Sequence, residues 1–138
     1  MEKIKYLTGE PDAAEFFKLF ETTGWNKEYK ADINDLKGVL GNSWYIVSAY
    51  AGGKLVGTGR MITDGLLHAM IFDMIVDPGY QGKGIGTKIL GMLVDKCRSH
   101  EIRDVQLFCA KGKVDFYKRN GFVIRDNDAP GMQLAKNF

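Results

Sequence analysis

The chain has 138 residues, 45% hydrophobic and 26% charged, with a net charge of +2. That length suits one domain, residues 1–138, burying its own core, and the net charge is too small to argue by itself for nucleic-acid binding. Cys97 and Cys109 make no disulfide framework or zinc site, and with only His68 and His100 no metal centre is expected. No apolar run is long enough to span a membrane and no secretory pattern opens at Met1, so a cytoplasmic location is the expectation.

Ile4 to Leu7 alternates and predicts a first strand. Asp12 is placed to cap a helix whose Ala13, Phe16, Phe17 and Phe20 share one face. Thr22 to Asn26 breaks that pattern. A second helix is expected after Asp32, with Ile33, Leu36 and Leu40 inward. Trp44 to Tyr50 is rich in β-formers, and Gly52-Gly53 predicts a hairpin turn into a strand over Leu55 to Ile62. After the turn at Thr63-Asp64-Gly65, a long strand runs from Leu66 to Val76. Ile85, Ile89, Leu93 and Cys97 then recur every four residues, a helix that packs on the sheet. Val105 to Cys109 reads as a strand, and Lys113 to Asn120 as a short helix closed by Gly121. Strands over Phe122 to Ile124 and Met132 to Leu134 complete the order βααβββαβαββ. This is an α/β (α+β) fold with a mixed sheet of about six to seven strands and about four flanking helices.

The most informative stretch joins the long strand to the long helix. Gly82, Gly84 and Gly86 stand at alternate positions behind Val76-Asp77-Pro78, and Gln81 and Lys83 add donors and a charge. A helix N-terminus presents unpaired N–H groups and the positive end of the macrodipole, so the stretch reads as a pyrophosphate cradle. A Walker loop does not fit, and a dinucleotide fingerprint would need a glycine where Thr87 stands. Basic residues also gather in the second half: Lys83, Lys88, Lys111, Lys113, Lys118, Arg119 and Arg125.

Gln-x-x-Gly-x-Gly behind such a strand resembles the acetyl-CoA motif of the GNAT N-acetyltransferase superfamily. Phe116-Tyr117-Lys118-Arg119-Asn120-Gly121-Phe122 is similar to that family's second signature. The resemblance covers essentially the whole chain and implies the GNAT fold, with acetyl-CoA as cosubstrate and no metal. By that resemblance Gln81, Gly82, Lys83, Gly84, Ile85, Gly86 and Thr87 bind the pyrophosphate. The backbone of Met74, Ile75 and Val76 takes the pantetheine arm and the acetyl oxygen, on a strand that splays from its neighbour. Ala110 lies in the cofactor region, and Tyr117 is expected both to contact the cofactor and to act as general acid. Gly24-Trp25, Asn42-Ser43, Phe72-Asp73, Val114-Asp115-Phe116-Tyr117 and Gly131-Met132 resemble the plant serotonin (arylalkylamine) type. Ala110 departs from the aspartate expected there, so serotonin itself is not implied.

Acetyl transfer to an amine needs a proton acceptor, because only about one ammonium in 10³ is neutral at pH 7. Asp73 is the candidate base, in competition with a structural hydrogen bond or a water chain, and Asp64 and His68 lie near the preceding turn. Cys109 offers a minor covalent route. Glu21, Trp25, Arg60 and Asp64 are candidates for the acceptor pocket, an aromatic wall with carboxylates for a cation. The acceptor is expected to be a small-molecule amine, with a protein lysine as the other option, and an exposed sheet edge could pair in a homodimer. No nucleic-acid or membrane partner is expected. The alternative is an acyl-CoA-binding regulatory sensor of the same fold with little catalysis.

Overall fold

The computed structural model describes residues 2–135. It divides into two compact units, Met1–Leu107 and Phe108–Phe138. In the first, β1 (Ile4–Thr8), α1 (Ala13–Glu21), α2 (Asn26–Tyr29) and α3 (Ile33–Gly41) are followed by β2 (Tyr45–Ala51), β3 (Lys54–Thr63) and β4 (His68–Val76). A 3-10 turn at Pro78–Tyr80, then α4 (Ile85–Ser99) and β5 (Asp104–Leu107), complete that unit. The sheet order is β1-β2-β3-β4-β5, antiparallel except for the parallel β4–β5 pair. α4 is the crossover that a parallel pair requires.

Two apolar layers sandwich this sheet. Phe16, Leu19 and Phe20 of α1 and Leu36 and Leu40 of α3 pack with Ile46, Leu55 and Ile75. On the other face Ile85, Ile89 and Leu93 of α4 lie against the β3 backbone at Gly57 and Gly59. A Cβ on Gly59 would stand 2.6 Å from Met74 Sδ and 3.0 Å from both Ile89 Cγ2 and Leu93 Cδ1. Gly59→Ala is therefore expected to destabilise the fold by about 1–3 kcal/mol through overpacking. Equilibrium denaturation would read this as a lower midpoint at unchanged slope.

The helix starts follow their caps. Asp12 accepts from Glu15 N–H at 3.1 Å, and Asp32 and Asp35 form a reciprocal capping box at 2.8 and 2.9 Å. Several sequence expectations need correction. Ile33, inside that box, is exposed, so the inward stripe of α3 is Leu36 and Leu40 alone. The break at Thr22 to Asn26 leads into the extra helical turn α2. There Asn26 Nδ2 donates to Ala31 O at 3.0 Å and its Oδ1 accepts from Ala31 N–H at 2.8 Å, closing the loop.

In the second unit α5 (Val114–Arg119) ends in paired bonds, Gly121 N–H to Lys118 O and Phe122 N–H to Tyr117 O. Gly121 at φ +91° makes that Schellman geometry accessible. Phe122 to Ile124 and Met132 to Leu134 form no ladder, and Val123, Ile124, Met132 and Leu134 are exposed. The described sheet thus has five strands, not six or seven. A run of β-formers or an apolar alternation reports a strand-like side-chain pattern and says nothing of the partner a strand must pair with. β5 likewise stops at Leu107, which leaves Cys109 outside it and exposed.

Candidate active site

β4 carries a bulge. Thr58 pairs with Ile75 and Arg60 with Phe72, so Asp73 and Met74 together oppose the single residue Gly59. Asp73 takes the extra position at φ +52°, a left-handed conformation that costs a non-glycine residue about 1–3 kcal/mol. The bulge directs Phe72 and Asp73 both toward Arg60. Arg60 Nε donates to Asp73 Oδ2 at 2.7 Å, the guanidinium lies 5.2 Å from the Phe72 ring centre, and Nη1 donates to Ser43 Oγ at 3.4 Å. Two residues singled out separately, one as base and one for the acceptor pocket, thus form a single ion pair. Their side chains are only 13% and 22% exposed, which protects it from screening.

Beyond the bulge, β4 outruns its parallel neighbour. The β4–β5 ladder ends at Ile71 and Leu107, and β4 continues to Val76. Asp77 N–H donates to Val56 O on β3 at 2.8 Å. Backbone groups alternate sides along a strand, so the N–H groups of Met74 and Val76 face the opposite edge, where the ladder has stopped. Gln81 Nε2 reaches the Val76 carbonyl on that edge at 2.9 Å. Ile75 differs from its two neighbours: its side chain is buried in the α1–α3 core and its N–H faces β3.

The chain then turns into α4. Asp77 Oδ1 accepts from Gly79 N–H at 2.8 Å, and Lys54 Nζ stands 3.5 Å from its Oδ2. Lys83 Nζ lies 5.2 Å from the Tyr80 ring centre. Gly82 and Gly84 have φ of +75° and +83° with open space where a Cβ would stand. Whereas aspartates cap α1 and α3, α4 has no side-chain cap and no acidic residue in its first turn. Its first internal bond is Lys88 N–H to Gly84 O at 3.1 Å, which leaves the N–H groups of Ile85, Gly86 and Thr87 at the open end. Ile85 contributes through its backbone, because its side chain is buried beside Gly57. Three N–H groups, a positive dipole end, open glycines and Lys83 fit a pyrophosphate.

The other acceptor-pocket candidates have local partners. Glu21 Oε1 accepts from Asn26 Nδ2 at 3.2 Å. Trp25 is half-buried, edge-on to Phe20 with ring centres 6.2 Å apart. Asp64 Oδ1 accepts from the N–H groups of Leu66, Leu67 and His68, and those bonds hold its carboxyl below the usual range. His68 Nδ1 lies 3.5 Å from Asp104 Oδ2.

In the second unit Tyr117 is buried between Phe116 and Phe122, at ring-centre distances of 5.0 and 5.9 Å and near-perpendicular angles. Desolvation, with a smaller contribution from Cys109, pushes its phenol up to about 12. Ala110 O accepts from Lys113 N–H at 3.1 Å just before α5. Among the described residues no cluster of three or more His, Cys, Asp or Glu could hold a metal. Among them, too, no helix is long and apolar enough to cross a membrane.

A strand with open N–H groups that feeds an uncapped helix fits an extended ligand ending in phosphate. The chain belongs to the acetyltransferase (GNAT) family, whose model matches residues 11–122. It is similar to the uncharacterized N-acetyltransferase ycf52 of Pyropia yezoensis, 33% identical over 122 residues, 86% of this chain and 68% of that protein. A protein of Oryza sativa subsp. japonica named serotonin N-acetyltransferase 2, chloroplastic, is 29% identical over 85 residues, 62% of this chain and 42% of that one. Across four curated relatives the chain spans 61% to 68% of their length. A solved GNAT-family acetyltransferase from Streptococcus pneumoniae TIGR4 is 28% identical, with a TM-score of 0.82 over 100% of both chains. The fold and enzyme class expected from the two motifs are those of these proteins.

The Arg60–Asp73–Ser43 network and the bulge were not read from the sequence. One signal for them was present: a glycine inside a strand marks a bulge or a close backbone approach, and β3 holds both Gly57 and Gly59.

Proposed function

We propose that the chain moves the acetyl group of acetyl-CoA to a primary amine by direct attack in a ternary complex. The observation that carries this is the continuity of β4 into α4. The free edge at Met74 and Val76 leads within a few residues to the uncapped helix start, matching a pantetheine arm followed by a pyrophosphate. Gln81 to Thr87 hold the pyrophosphate, and the Met74 or Val76 N–H donates to the carbonyl oxygen as negative charge develops on it. The bound thioester supplies an activated acetyl group. Tyr117 gives the leaving sulfur a proton, and the proton shed by the attacking nitrogen returns to Tyr117 through a water chain. The Tyr117 phenol, pushed up to about 12 by burial, carries its proton at neutral pH.

The acceptor is a small-molecule amine in this reading. Free-thiol release from acetyl-CoA, measured against tryptamine, spermidine, an aminoglycoside and a lysine peptide, tests it. Release that depends on one of these amines supports the transferase and identifies its substrate class. Binding of acetyl-CoA with no amine-dependent release would favour a sensor.

A further inference from the structure

We propose that Arg60 and Asp73 are a positioning pair whose ion bond holds the β4 bulge and thereby sets the backbone donors at Met74 and Val76. This rests on the reading that β4 receives the coenzyme. It assigns Asp73 a role other than proton acceptor.

The argument starts from the backbone. Asp73 stands at φ +52° within a strand, a conformation that persists only when its surroundings impose it. Those surroundings are visible. Arg60 Nε holds Asp73 Oδ2 at 2.7 Å, and the Arg60 side chain is itself held over Phe72 and toward Ser43 Oγ. Ser43 Oγ donates to Val39 O at 2.9 Å, which ties the pair to the end of α3. On the other face of the strand, Met74 lies over Gly59, the one residue type that admits its sulfur. The bulge is thus gripped from both faces. Removing one residue from it would restore regular alternation and reverse the side to which every later β4 residue points. It would also turn the Met74 and Val76 N–H groups away from the open edge.

Three variants of the full chain test this, read by the amide signals of Gly59 and Val76 without ligand and by acetyl-CoA binding calorimetry. Arg60→Gln is expected to shift both amides and weaken binding about tenfold, while Arg60→Lys restores part of the loss. Asp73→Gly adopts positive φ without help, so the Val76 amide should stay in place and the affinity within about threefold. Combined with Asp73→Gly, Arg60→Gln should bind as Asp73→Gly does, because glycine no longer needs the clamp. The pairing is overturned if Arg60→Gln changes neither amides nor affinity. It is equally overturned if Asp73→Gly removes a limb of the pH–rate profile at unchanged affinity, the signature of a base. Failure of the parent chain to bind acetyl-CoA would reject the functional reading, while the amide signals would still decide the latch.

Discussion

Tyr117→Phe is expected to lower turnover about 10²–10³-fold while acetyl-CoA affinity changes by no more than about twofold. The ring stays between Phe116 and Phe122 in the variant, so packing is kept and only the hydroxyl goes. Loss confined to kcat would place the hydroxyl in the transition state, not in ground-state binding. Unchanged turnover would remove Tyr117 from the chemistry.

The same substitution has a separate signature in stability. The phenol titrates near 10 in the unfolded chain and about 12 in the folded one. Between those values the unfolded state has shed its proton and the folded state has not. This contribution is therefore fully present below pH 10 and is lost as pH rises through about 12. It amounts to roughly 2–3 kcal/mol. Denaturation at pH 9 and pH 11 should show the parent losing more stability over that interval than Tyr117→Phe. Equal losses would mean the phenol is not shielded from water.

The sequence and the structure agree most closely where one local rule decides the outcome. Asp12 and Asp32 stand where caps are needed, Gly52-Gly53 turns the β2–β3 hairpin, and the four-residue apolar repeat of α4 lies on the sheet. The uncapped start of α4 behind Gly82 and Gly84 was legible too, because the residues that make it are consecutive in the chain. What could not be read depends on pairing between distant segments. The bulge exists because β4 carries one residue more than β3 across Gly59, and no periodicity within β4 reveals that count. Arg60 meets Asp73 across that bulge, from thirteen residues away. The consecutive β-formers Phe122, Val123 and Ile124 illustrate the opposite error, a strand-like run with no ladder formed.

Gly84→Val is expected to weaken acetyl-CoA binding about 10²-fold. Gly84 is the residue before α4 and sits at φ +83°, where a β-branched side chain is strongly disfavoured. Open space surrounds the position of its missing Cβ, so the penalty comes from the backbone and not from a clash. The chain can relieve it only by changing the conformation of residue 84, which moves the N–H groups of Ile85, Gly86 and Thr87 out of their shared direction. Each hydrogen bond to a charged phosphate is worth about 1.5–3 kcal/mol, so losing one or two accounts for the loss of affinity. The body of α4 is anchored by buried Ile89, Leu90 and Leu93, and helical circular dichroism should survive. Lys83→Ala supplies the contrast. It removes an exposed charge, should weaken binding less than Gly84→Val, and should flatten the dependence of binding on salt. If Gly84→Val binds acetyl-CoA as tightly as the parent, the N-terminus of α4 is not the pyrophosphate site. A stronger effect from Lys83→Ala than from Gly84→Val would mean side-chain charge, and not the backbone cradle, holds the ligand.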